Sequence, residues 1–130
     1  MREIKFRAWL TEEKRMLKWG EFNLDIEDGY GGVIDYTQPR PKGNICDTAT
    51  SYFLLQQYIG LHDSDAKEIY EGDIIQFDGY VNAIAYVEYN EKLCAYQARN
   101  GNSGWLLAKE SGIYQKVIGN IYENPGLLGV

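Results

Sequence analysis

Gly60-Leu61-His62-Asp63-Ser64-Asp65-Ala66-Lys67-Glu68-Ile69-Tyr70-Glu71-Gly72-Asp73-Ile74-Ile75 is the stretch on which the fold class turns. Asp63 to Lys67 reads as a turn, because short acidic side chains accept nearby backbone N–H groups. Glu68 to Phe77 reads as a strand containing Gly72, and a glycine there marks a bulge or a close backbone approach. A turn, then Gly-Asp, then an apolar strand is by analogy an element of a small SH3-like barrel.

Outward from this stretch, short apolar runs alternate with turn signals. In residues 3–9, Ile4, Phe6 and Ala8 alternate with Glu3, Lys5, Arg7 and Trp9, the period of a half-buried strand. Thr11 to Lys14 is a polar break, and Met16 to Leu24 is expected to complete an N-terminal hairpin. Gly29 to Gly32 turns the chain into Val33 to Tyr36. Pro39, Pro41, Gly43 and Asn44 make 38–47 an exposed loop, and a subdomain seam, if the single domain 1–130 has one, falls near 38–50. Ala49 to Gln57 has helical propensity, but Tyr52, Phe53, Tyr58 and Ile59 favour a strand over 52–59. Further strands are expected over 81–89, 93–99, 105–107 and 114–122. Turns at Asp78-Gly79, Asn90 to Lys92 and Asn100 to Asn102 punctuate them, with a helical turn before Tyr114. Pro125 and the glycines after it suit a tail that ceases to pair. The fold class is mainly β: a small antiparallel barrel or sandwich, SH3-like in part, with an N-terminal β-hairpin and little helix.

At 130 residues the chain is long enough to bury a core. Eleven Tyr favour half-buried positions on pleated sheet. No run approaches the roughly 18 apolar residues of a membrane span. Arg2, Lys5 and Arg7 interrupt any signal-peptide centre, so a cytosolic protein, away from membranes, is expected. Cys46 and Cys94 are too few and too far apart for a metal site or a disulfide framework, and are expected to be free and buried. The net charge is −6, which disfavours broad contact with phosphates. Residues 1–19 nevertheless carry a local excess of three positive charges.

Three blocks carry a resemblance. The segment from Gly60 to Ile75, the opening Arg2-Glu3-Ile4-Lys5-Phe6-Arg7-Ala8-Trp9, and the closing Val117-Ile118-Gly119-Asn120-Ile121-Tyr122-Glu123-Asn124-Pro125-Gly126-Leu127-Leu128 stand in the order found in the YopX family. The sequence resembles that family along nearly its whole length. The resemblance implies a protein carried by phages or prophages and attaches no biochemical activity to it. Two positions depart from the pattern. Ala66 stands where relatives commonly place Asn-Gly or a similar pair, which points to a different turn, since Ala tolerates positive φ poorly. Gly126 stands where relatives often carry an acid, which argues against a catalytic carboxylate there.

The densest carboxylate cluster is Asp63, Asp65, Glu68, Glu71 and Asp73. As a Ca²⁺ loop starting at Asp63 it fails, because the sixth residue is Glu68 rather than glycine and the twelfth is Ile74 rather than an acid. Glu71 and Asp73, two apart, face the same way on an extended strand and could divide acid and base roles. Alternatively, Asp73 accepts backbone N–H groups while Glu71 faces water. His62, the sole histidine, is expected in an exposed turn and excludes a multi-histidine metal site within one chain. Trp9, Trp19 and Trp105 are expected in packing; one exposed beside Arg7 or Lys18 would make an aromatic–basic patch for single-stranded nucleic acid. Asn120 and Asn124 are expected to bond backbone groups in a closing turn, or else to line an interface.

The leading expectation is therefore a non-enzymatic module that contacts a host or phage protein and self-associates, with no cofactor and no metal. Its candidate contact residues are Lys5, Arg7, Trp9, Glu71, Asp73 and Asn120. A regulator touching nucleic acid through Lys5, Arg7, Lys14, Arg15 and Lys18 is second. A hydrolase-like enzyme using Glu71 and Asp73 is third.

Overall fold

The structure, a computed structural model, describes residues 3–25, 32–35, 49–50, 53–77, 84–101, 103–107 and 115–128. Among the described residues there are twelve β-strands, one short 3₁₀ turn and no α-helix. The mainly β expectation holds. The chain divides into two compact units, Lys5–Gln56 and Met1–Ile4 with Gln57–Val130. The expected turn at 29–31, the loop at 38–47, Cys46, the Asp78-Gly79 turn and the helical turn before Tyr114 lie outside the described residues, as does most of the proposed seam at 38–50.

In the first unit, β1 (Phe6–Leu10) and β2 (Arg15–Leu17) pair antiparallel, with Ala8 opposite Leu17. Thr11 to Lys14 turns the chain, and the Lys14 N–H donates to Leu10 O at 2.8 Å. The other neighbour of β1 is β6 (Phe53–His62). Ala8, Leu10, Leu17 and Phe22 form the core of this unit, with Phe6 and Phe53 against it. Burial corrects the alternation at two points. Ile4 precedes the strand and is 63% exposed, whereas Trp9 is buried. Period two marks strands with one wet face, and the end of β1 is covered on both. Met16 to Leu24 is likewise not one strand. The Lys18 N–H donates to Glu21 Oε1 (2.8 Å) and the Glu21 N–H to Lys18 O (2.9 Å). That turn starts a second sheet of β3 (Phe22–Asp25), β4 (Gly32–Asp35) and β5 (Ala49–Thr50).

In the second unit the later part of β6 pairs with β7 (Glu68–Tyr70), so the chain from Phe53 is strand and the helical option is overturned. The expected strand from Glu68 to Phe77 is two strands. Glu71 and Gly72 turn between β7 and β8 (Asp73–Phe77). Gly72 has φ +85°, its N–H donates to Val87 O and its carbonyl accepts the Ile121 N–H, both at 2.8 Å. An added Cβ would lie 3.0 Å from Tyr122 Cε2, so the close approach read from the sequence is made by a tyrosine ring.

The remaining strands are β9 (Ile84–Asn90), β10 (Ala95–Asn100), β11 (Ser103–Leu106) and β12 (Gln115–Asn120). The five-stranded antiparallel sheet runs β11-β10-β9-β8-β12. Four strands meander and the fifth returns beside the first, the strand order of an SH3-like barrel. Ile75 opposite Ala85, Val87 opposite Ala98, and Val117 opposite Ile75 stack on one face and, with Ile59 and Ile69, form the core.

The closing segment is no trailing tail. Pro125–Leu128 forms a 3₁₀ turn, with Asn124 N–H donating to Asn120 O (2.9 Å) and Leu127 N–H to Asn124 O (3.1 Å). A Cβ on Gly119 would lie 2.6 Å from Asn124 Oδ1 and 2.9 Å from Leu127 Cδ1. Gly119→Ala should push this turn off the sheet and destabilise the protein by about 1–3 kcal/mol, read as a lower urea midpoint.

Candidate functional site

Of the candidate residues, Glu71 lies in the turn between β7 and β8 and Asp73 opens β8, and each holds a backbone donor. Buried Asp73 Oδ2 accepts the Tyr70 N–H at 2.8 Å. Glu71 Oε1 accepts the Gln57 N–H at 3.0 Å, while the Glu71 N–H donates to Gln57 O at 3.0 Å. The turn breaks the extended geometry that would align the pair, and Glu71 is bonded to β6 rather than facing water only. Asn120 is the hinge of the closing turn. Its Oδ1 accepts the N–H groups of Tyr122 (3.0 Å) and Glu123 (2.8 Å), and its Nδ2 donates to Glu123 Oε2 (3.1 Å). The Asn120 N–H donates to Asn124 Oδ1 (3.3 Å), which realises the backbone-bonding expectation for both asparagines.

In the first unit, Arg7 Nε donates to Gln56 Oε1 at 2.9 Å. Arg15 pairs with Glu13 at 3.0 Å. Lys5 is half-buried and Trp9 buried. Trp19 is the exposed tryptophan of this unit; its ring meets Phe6 and Phe22 at centroid distances of 6.3 and 6.2 Å, and exposed Lys18 precedes it. His62 is exposed but ends β6 rather than lying in a turn, with Nδ1 3.3 Å from the Tyr58 hydroxyl.

Two further polar centres stand out; the first was read from the sequence as a turn former, and the second was not singled out there. The first is Asp63, only 6% exposed. Its Oδ1 accepts the N–H groups of Asp65 and Lys67, and its Oδ2 accepts that of Val117 on β12, each at 2.9 Å. Burial alone would push this carboxyl up. The three N–H groups and the Lys67 charge outweigh burial and hold it below its ordinary value. Ala66 does take positive φ (63°), against expectation, because the Asp63 bonds and the Ala66 N–H to Asp63 O bond over-determine the turn.

The second centre lies on the face of β9 and β10 away from the core. Glu88 Oε1 accepts Gln97 Nε2 (2.6 Å) and Arg99 Nη1 (3.2 Å), Tyr86 donates to Glu88 Oε2 (3.3 Å), and Asn90 Nδ2 donates to Gln97 Oε1 (3.3 Å). Burial first, then the Glu88 carboxylate, pushes the Tyr86 hydroxyl up, against the pull of Arg99. The signal of this centre in the sequence was the shared parity of Tyr86, Glu88 and Asn90, which the 90–94 turn brings opposite Gln97 and Arg99. Among the described residues no three His, Cys, Asp or Glu side chains are grouped to hold a metal ion. Cys94, expected to be buried, is exposed at φ 50° in that turn, with Sγ 3.5 Å from Glu91 O.

The sequence profile described as YopX protein matches residues 5–129. The chain belongs to the YopX family. Its fold is shared with YopX-family and related solved structures. Protein EF1440 from Enterococcus faecalis is 24% identical, with a TM-score of 0.66 over 98% of this chain and 99% of that one. Protein yopX from Bacillus subtilis is 18% identical, with a TM-score of 0.58 over 98% and 97%. No curated protein matches. In YopX terms, the central block is the Asp63 turn with Gly72, and the closing block is the Asn120 turn; both are structural knots. No helix among the described residues is long and apolar enough to cross a membrane.

Proposed function

We propose that this YopX-family protein is a non-enzymatic protein–protein interaction module of phage or prophage origin, which acts in the bacterial cytosol and self-associates. The observation that carries the reading is the exposure of Tyr89, Leu93, Trp105 and Leu106 on the second unit; tyrosine and tryptophan rings are enriched among the residues that anchor interfaces. The carboxylates of Asp63, Asp73, Glu71 and Glu88 are meanwhile engaged by backbone or side-chain donors. A tagged copy recovered from induced host cells, with nuclease treatment, tests it. A reproducible protein partner, or the protein's own untagged copy, is expected. Recovery of nuclease-sensitive nucleic acid alone would sink it.

A second reading is favoured by Trp19, exposed and adjacent to Lys18. A stacking ring beside a cation suits single-stranded nucleic acid. It predicts salt-sensitive binding lost in Trp19→Ala and in Lys18→Glu. Binding indifferent to salt would end it.

A further inference from the structure

The two edges of the five-stranded sheet are treated differently. On β12 the turn at 63–67 caps the outer side: the Ser64 N–H donates to Gln115 O at 2.8 Å and the Val117 N–H to Asp63 Oδ2 at 2.9 Å. At the other edge, β11 has a strand neighbour on one side only among the described residues. Natural edge strands are guarded by charge, proline, bulges or cover. The segment Ser103-Gly104-Trp105-Leu106 carries no charge and no proline, with Trp105 45% and Leu106 62% exposed.

The register says which backbone groups point outward. Asn100 stands opposite Ser103 across a two-residue loop, and the Leu107 N–H donates to Tyr96 O. Hydrogen-bonded pairs alternate along an antiparallel ladder, so Ser103, Trp105 and Leu107 bond inward to β10. Gly104 and Leu106 present their N–H and C=O groups to the outer side of β11, where no described strand pairs with them. We infer that a second copy of this chain pairs with β11 antiparallel about a two-fold axis at Trp105, which joins two five-stranded sheets into one. This rests on the self-association reading and names its surface.

That register is self-complementary. Gly104 lies opposite the second copy's Leu106 and Leu106 opposite its Gly104, giving four N–H···O=C bonds from the outward groups. The bulky exposed Leu106 meets the position that lacks a side chain. Trp105 meets its own copy in the closer, non-hydrogen-bonded pair, where cross-strand aromatic contact is strongest. Charge does not oppose the seam, although the chain carries −6. Among the described residues, Arg99, opposite Gly104 on β10, is paired with Glu88 at 3.2 Å. Four residues of edge fall well short of the roughly 800 Å² per partner of a standard interface, so the dimer is weak and concentration-dependent.

The test is sedimentation velocity of the full chain from about 10 μM to about 1 mM, with hydrogen exchange read at single amides. The mass should rise from 14.9 kDa towards twice that value, while the Gly104 and Leu106 amides gain protection roughly tenfold or more. Leu106→Lys and Leu106→Pro should both remain monomeric with unchanged circular dichroism. The proline removes an outward N–H and spares the β10 ladder. A dimer that persists in both variants overturns the edge assignment and leaves the self-association reading standing. A monomer throughout overturns the edge, and the pull-down from host cells then judges the wider reading by itself. Slowing of these amides only with a different protein bound would also overturn the second copy as occupant.

Discussion

Asp63→Ala is expected to destabilise the protein by about 3–5 kcal/mol. One carboxylate accepts three backbone N–H groups, two inside its own turn and one, from Val117, fifty-four residues away in sequence. Removing it leaves the Val117 N–H buried with no acceptor and releases the turn that caps β12. Asp63→Asn keeps one acceptor oxygen but turns an NH₂ towards an N–H, and should lose about 2 kcal/mol. The pH dependence follows from the direction of the shift. The folded carboxyl is held below its ordinary value, so its contribution is fully present above the unfolded value of about 3.9. It is lost as pH falls through the lowered folded value. Urea midpoints of the wild type should therefore drop on acidification below pH ~4, and part of that drop should vanish in Asp63→Asn. A wild-type and variant pair with parallel pH profiles would show that Asp63 does not hold the turn.

Gly72→Ala is expected to destabilise by about 2–4 kcal/mol. Its φ of +85° places an L side chain in strain of about 1–2 kcal/mol. The new Cβ meets the Tyr122 ring at 3.0 Å. The backbone cannot move aside easily, since both its N–H and its carbonyl are bonded, to Val87 and Ile121. Gly126→Ala serves as the control: nothing lies within 4 Å of its added Cβ, and its urea midpoint should barely change. Equal losses at the two glycines would remove the special status given to Gly72.

The expected strands at 81–89, 93–99 and 114–122 correspond to β9, β10 and β12, because turn residues and alternating burial are local signals. The two strands that proved to be pairs, 16–24 and 68–77, show where local reading stops. In each an acid closes a turn, Glu21 on the Lys18 N–H and Asp73 on the Tyr70 N–H, and nothing in apolar content distinguishes that use from a solvated face. The clustering of Asp63, Asp65, Glu68, Glu71 and Asp73 was legible, as were the local backbone bonds of Asp63 and Asp73; the Asp63–Val117 and Glu71–Gln57 bonds were not, since those donors come from other strands. The Glu88–Gln97–Arg99 network needed the β9–β10 register, which one misplaced turn residue would have reversed. Trp9 was assigned outward because alternation cannot recognise a strand covered on both faces. Lys5 and Arg7 invited a nucleic-acid reading from charge alone, and the Arg7–Gln56 bond is invisible to composition.

The return of β12 beside β8 also sets the order in which the second unit is completed during synthesis. β8, β9 and β10 follow one another and can pair as they emerge, since their contacts are close in sequence. The strand that closes the outer side of β8 is made some forty residues later, so Ile74 and Ile75 wait beside an open edge until 115–120 leave the ribosome. A nascent chain stalled before Gln115 thus offers an apolar strand to its neighbours, and the risk of aggregation is concentrated in that interval of translation.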